Sequence, residues 1–143
     1  MNILFAFAIG QTDTFEAKHF GDADKYLLYM WDGHDFTYHH ELINTCKDYD
    51  EEQEHGSKKK GEAIIRLLKE YKVQVLVSKQ FGKNIQLVNR FFVPVIIGDE
   101  TPSETLARLK NSINWIEEEL NFNKQNFKLF TLKSGTLKTV IKQ

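Results

Sequence analysis

An α/β fold, built as a mixed sheet with helices on its faces, follows from three features of this 143-residue sequence. Residues 61–97 read helix, strand, helix, strand, with turn residues at the joints. Asp32-Gly33 marks a tight hairpin between two further strands. An apolar run at the amino terminus alternates large and small side chains, as in a central strand buried on both faces.

Taken in order, Asn2 to Ile9 is the first strand and Gly10 ends it. Gln11 to Asp24 is a polar connection that contains His19-Phe20-Gly21. Lys25 to Trp31 is the second strand. Asp32-Gly33-His34-Asp35 is the hairpin, since Asp-Gly tolerates positive φ. In the third strand Phe36, Tyr38, His40 and Leu42 share one face, and Thr37, His39 and Glu41 the other. Ile43 to Lys60 is long for a compact domain. It carries Cys46, an acidic run (Asp48, Asp50, Glu51, Glu52, Glu54), His55-Gly56 and three lysines. The acidic run lacks the spacing of a calcium loop and reads as a solvated segment.

From Gly61, the positions Ile64, Leu67, Leu68 and Tyr71 make one apolar helical face. Val73 to Val77 is a buried strand, and a second helix runs from Gly82 through Ile85, Val88 and Phe92. Val93 to Ile97 is the fifth strand. Thr101-Pro102-Ser103-Glu104 is a helix start, with a Thr cap, Pro at the first helical position and Glu three residues after the cap. One long helix follows, marked by Leu106, Leu109, Ile113, Ile116 and Leu120. Residues 127–141 form a terminal hairpin around Ser134-Gly135. The division is thus an α/β domain over 1–120 and a hairpin over 121–143, packed on that domain or on a second copy.

Strand-helix-strand crossovers are right-handed and parallel. With the second strand antiparallel to its two neighbours in sequence, four loops meet at the carboxyl edge, where such sheets bind ligands. They are Gly10 to Asp24, Ile43 to Lys60, Ser78 to Gly82 and Gly98 to Thr101. His19, Cys46, His55 and Gly56 lie there, and His34 lies at the opposite end.

A formal net charge of −1 gives no reason to expect nucleic acid or an anionic membrane as partner. No apolar run approaches a membrane span. Met1 to Ile9 lacks the basic start of a signal peptide. The lone Cys46 rules out an internal disulfide, and a cytoplasmic location is the expectation. Enzyme signatures are missing: there is no phosphate loop, no Cys-x-x-Cys, no His-x-x-x-His and no nucleophile elbow. A two-metal nuclease needs carboxylates from the central strands, and Phe5-Ala6-Phe7 and Val75-Leu76-Val77 offer none. The expectation is a protein without catalytic activity.

The element order, with His19-Phe20-Gly21 before a strand, His55-Gly56 before a helix, Gly82 after the fourth strand and a valine-isoleucine strand before a capped helix, resembles the dinitrogenase iron–molybdenum cofactor biosynthesis family. The resemblance covers about Asn2 to Trp115. It implies a ribonuclease H-like motif, with a five-stranded mixed sheet in the order 3-2-1-4-5. It also implies a nitrogen fixation-related role: binding or carrying an iron–sulfur or iron–molybdenum-type cluster without catalysis. Asp22 stands where the family often has a basic residue, and Lys79-Gln80-Phe81-Gly82-Lys83 where its loop is usually richer in glycine and proline.

His19 and His55 are the candidate metal ligands. The plainer reading of His19 is packing beside Phe20, or a backbone hydrogen bond while Gly21 turns the chain; that of His55 is a solvated side chain. Phe20, Gly21, Gly56, Lys79, Gly82, Lys83 and Gly98 complete the expected binding set, with backbone N–H groups and lysines facing an anionic ligand. Cys46 reads as a small apolar residue, with a thiolate ligand as the alternative. His39 and His40 point to opposite faces and cannot share a metal. A regulatory or protein-interaction domain without a cluster is the second functional reading, with a protein partner or a homodimer.

Overall fold

The alternation in the first strand decides how the layers form. β1 (Ile3–Ile9) is buried along its whole length. It sends Ile3, Phe5, Phe7 and Ile9 to one face of the sheet and Leu4, Ala6 and Ala8 to the other. The computed structural model, which describes residues 1–47, 56–133 and 136–140, builds a layer of helices on each face. α1 (Gly56–Glu70) and the four-residue α2 (Ile85–Val88) cover the alanine face, packing Ile64, Leu68 and Val88 there. α3 (Pro102–Asn111) and α4 (Ile113–Phe122) cover the phenylalanine face through Leu109, Ile116 and Leu120.

β2 (Lys25–Trp31) is antiparallel to β1, and β3 (Phe36–Ile43) is antiparallel to β2. At the hairpin between them Gly33 takes φ +99°, and the Asp32 carboxylate accepts the N–H groups of His34 and Asp35. Those bonds hold its pKa below the usual carboxylate value. β4 (Val75–Ser78) and β5 (Val93–Ile96) run parallel to β1. The strand order is therefore β3-β2-β1-β4-β5, followed by β6 (Leu129–Lys133) and β7 (Thr136–Val140).

Four details differ from the sequence reading. Among the described residues the sheet has seven strands, not five, because β6 pairs in parallel with β5, Val95 opposite Phe130. Phe127, Phe130 and Leu132 thereby enter the same core as Phe5 and Phe7. The third strand does not keep one alternation. A bulge leaves His39 without a β2 partner between Tyr38, opposite Tyr29, and His40, opposite Leu28. Phe36 therefore packs with Phe5 on one face, while Leu42 is buried on the other.

The helix expected from Gly82 through Phe92 shrinks to a 3-10 turn, Gly82–Asn84, and α2. The carbonyls of Asn89 and Arg90 turn away to accept the N–H groups of Phe127 and Asn126, and the Asn89 carboxamide donates to Phe127 O. The long helix after Thr101 breaks at Ser112, which has φ −122° and ψ 18°. Asn111 and Ser112 both compete with a helical backbone for hydrogen bonds. Its start is as expected, a full capping box between Thr101 and Glu104.

Candidate functional site at the carboxyl edge of the sheet

The polar connection after β1 turns back on itself and is then clasped to the loop after β4. Gly10 N–H donates to Thr14 O, Glu16 N–H to Ala8 O, and Asp24 N–H to Ile9 O. Between these ties lies a 3-10 turn, Phe20–Asp22, capped by His19. His19 forms a parallel bridge to Gln80, Phe20 N–H donates to Gln80 O at 2.9 Å, and Gln80 Nε2 donates to Ala17 O at 3.0 Å. The Phe20 ring is fully buried, with its centroid 5.6 Å from that of Phe81.

The turn is also fixed from below. Tyr26 Oη donates to Phe20 O at 2.7 Å. The buried Asn44 carboxamide donates to Gly21 O at 3.0 Å and Ala23 O at 2.8 Å, and its oxygen accepts the N–H of Cys46. A Cβ on Gly21 would stand 3.1 Å from His19 Cε1 and 3.3 Å from Ile64 Cδ1, so glycine is what lets the turn close onto the imidazole. Gly82 takes φ +64° with His19 Cβ directly over it.

His19 is engaged at both ring nitrogens. Nδ1 accepts the Gly21 N–H at 3.2 Å, which puts the ring proton on Nε2, 3.2 Å from Asp22 Oδ2. The other Asp22 oxygen lies 2.6 Å from Nζ of Lys60, whose side chain is 3% exposed. The histidine side chain keeps 24% of its surface exposed.

Beside this turn opens a cavity of about 450 Å³, lined by Gly10, Gln11, Thr12, Thr14–Lys18, Asp22, Asp24 and Lys47. Thr12, Thr14, Lys18 and Lys47 bring donors to it; Glu16, Asp22 and Asp24 bring carboxylates. Asp24 Oδ1 is in contact with Lys47 Nζ, while Asp24 Oδ2 is buried with no hydrogen-bond donor among the described residues. Sequence reading singled out none of Thr12, Thr14, Lys18 or Lys47. Their one signal is position, on connections leaving the carboxyl ends of β1 and β3.

The structure joins part of the expected set and leaves the rest apart. His19, Phe20, Gly21 and Gly82 meet at the clasp. None of them lines the cavity, which is built on the loop after β1 instead. Gly98 offers no free N–H, because it donates to Glu100 Oε1 at 2.8 Å, and Glu100 also pairs with Arg108. Lys79 is half-buried, Lys83 is exposed, and neither has a carboxylate partner among the described residues. Gly56 begins α1. His55 and the acidic run from Asp48 lie outside the described residues. Cys46 is buried. His40 stacks on Tyr71 at 5.4 Å, and His34 lies at the far hairpin.

Among the described residues no three His, Cys, Asp or Glu side chains are grouped to hold a metal ion. A bare ion therefore finds no chelating set there. No helix among the described residues is long and apolar enough to cross a membrane.

Compared with known sequence families, residues 1–112 match the family described as dinitrogenase iron-molybdenum cofactor. Comparisons with curated proteins and with solved structures returned no match.

Proposed function

Because the chain belongs to the dinitrogenase iron-molybdenum cofactor family, we propose that it is a non-catalytic binding or carrier module for an iron–sulfur or iron–molybdenum-type cluster, or a related small anionic ligand. The cargo sits at the carboxyl edge between β1 and β4, in a cytoplasmic protein of ribonuclease H-like motif. The observation that carries the reading is the clasp itself. A partly exposed imidazole is held at the carboxyl edge where such sheets bind ligands, next to a cavity whose lining combines two threonines and two lysines with the carboxylates of Glu16, Asp22 and Asp24.

In this reading His19 is the principal ligand and His55 the second. Ligation through Nε2 requires its proton to leave and the Asp22 contact to open. The ring then needs a proton on Nδ1, so the Gly21 N–H must be released as well. Loading and a local opening of the Phe20–Asp22 turn are thus coupled. Lys18 offsets part of the charge of an anionic cargo, Lys47 does so only by leaving its contact with Asp24, and Lys79 and Lys83 approach from the β4 side.

The test is anaerobic reconstitution of the full chain with ferrous iron and sulfide, followed by iron analysis and visible absorption. Iron that stays bound through gel filtration, with charge-transfer bands, supports the reading. Colourless, iron-free protein that retains its fold contradicts it. One observation favours the second reading, a regulatory or interaction domain without a cluster: both His19 nitrogens are already satisfied within the protein.

A further inference from the structure

On the alanine face, away from the clasp, α1 and the α2 segment leave a groove of about 360 Å³ between them. One wall is the α1 stripe Glu62, Ile65, Arg66 and Lys69, at i, i+3, i+4 and i+7; the other is Leu87, Arg90 and Phe91. Three cations face one carboxylate, on a chain whose formal net charge is −1. Arg66 and Arg90 are exposed, one on each wall, and neither side chain has an ion-pair or hydrogen-bond partner among the described residues. Lys69 Nζ lies 4.4 Å from the centroid of the Phe91 ring, which is itself 40% exposed.

We infer that this groove docks an acidic amphipathic segment of a protein partner. Carboxylates at helical spacing would meet the Arg66 and Arg90 guanidiniums, whose fork geometry matches a carboxylate at two points. An apolar side chain between those carboxylates covers Leu87 and the open edge of Phe91. The apolar floor favours a peptide over a nucleic acid. A phosphate backbone would engage the cations but leave that floor exposed, and Lys69 already occupies a face of the one aromatic ring there. The groove shares α1 with the clasp, since Lys60 on the same helix pairs with Asp22. The inference does not depend on a cluster being bound.

The test uses the full, isotope-labelled chain and a synthetic fourteen-residue helical peptide carrying Glu at i and i+4 and Leu at i+3 and i+7. Its Glu→Gln and Glu→Lys versions and a single-stranded DNA of matching length serve as comparisons. Amide shifts confined to α1 and residues 85–92 are expected with the Glu peptide. Affinity should fall more than about tenfold in the Arg66→Glu, Arg90→Glu double variant, and that variant should gain binding to the Lys peptide. Both arginines are exposed, and an unchanged melting temperature verifies the fold. No shift in the groove at millimolar peptide, equal binding of the Gln peptide, or tighter binding of the DNA would each overturn the inference.

Discussion

Lys60 reaches out of α1 to the carboxylate of Asp22, its Nζ 2.6 Å from Oδ1 and its side chain almost fully buried. The contact explains an acid directly after His-Phe-Gly. Asp22 answers a buried lysine with one oxygen and faces the His19 ring with the other, so helix and turn are locked through a single carboxylate.

Replacing Asp22 by Asn removes that charge from beside a buried ammonium. Asp22 is itself 22% exposed, which moderates the effect. A loss of about 1–3 kcal/mol is expected by urea denaturation, less than for a fully buried pair. Lys60→Met should cost a similar amount, and the double variant less than the sum of the two.

Asn44→Ala tests the lower tie of the turn. The substitution removes donors to Gly21 O and Ala23 O and the acceptor for the Cys46 N–H, all buried. A loss of about 2–4 kcal/mol is expected from denaturant midpoints. Hydrogen exchange should speed up in residues 19–24 more than in β4 or β5.

Tyr26 predicts the alkaline limit of stability. Burial pushes its phenol well above the ordinary value of 10.0, so the folded state favours the neutral form. A raised folded pKa contributes stability that is fully present below the unfolded value and is lost as pH rises through the folded one. Unfolding free energy should therefore fall above about pH 10. Tyr26→Phe should flatten that fall, at a loss of about 1 kcal/mol near neutrality for the bond to Phe20 O. A wild-type profile no steeper than that of Tyr26→Phe would contradict the assignment.

The terminal hairpin should be integral to the fold. Phe130 is 2% exposed and lies opposite Val95 of β5. Phe130→Ala should cost about 3–5 kcal/mol. Truncation before Phe127 should expose the edge of β5 and leave the protein aggregated or unfolded by circular dichroism.

Much of this architecture was legible in the sequence because it rests on local patterns. The alternation in Ile3–Ile9, the Asp32-Gly33 turn and the Thr101–Glu104 box each fix geometry within a few residues. The topology brought the loops after β1 and β4 to one edge, and His19 met Gly82 there. What was not legible depends on contacts distant in sequence. Nothing near Asn89 announces that its carboxamide will hold Phe127 and end a helix. Nothing in Thr12 or Lys47 announces a shared cavity. Gly98 stands where a backbone N–H could face an anion, but that N–H is taken by Glu100, two residues on. The bulge at His39 is invisible to simple alternation, so Phe36 and Leu42 part company across the sheet.

The claim that His19 is a ligand, and not only a cap, is tested most directly by comparing His19→Asn with His19→Ala after anaerobic reconstitution with iron and sulfide. Asparagine at the cap can still accept the Gly21 N–H and so keep the turn, but it is a poor ligand for iron. The account predicts that His19→Asn melts near the wild type, yet retains little iron and loses the charge-transfer absorption, as His19→Ala does, while His34→Ala retains both. Full iron retention in His19→Asn alongside loss in His19→Ala would contradict it, because the histidine would then serve the turn and not the cluster.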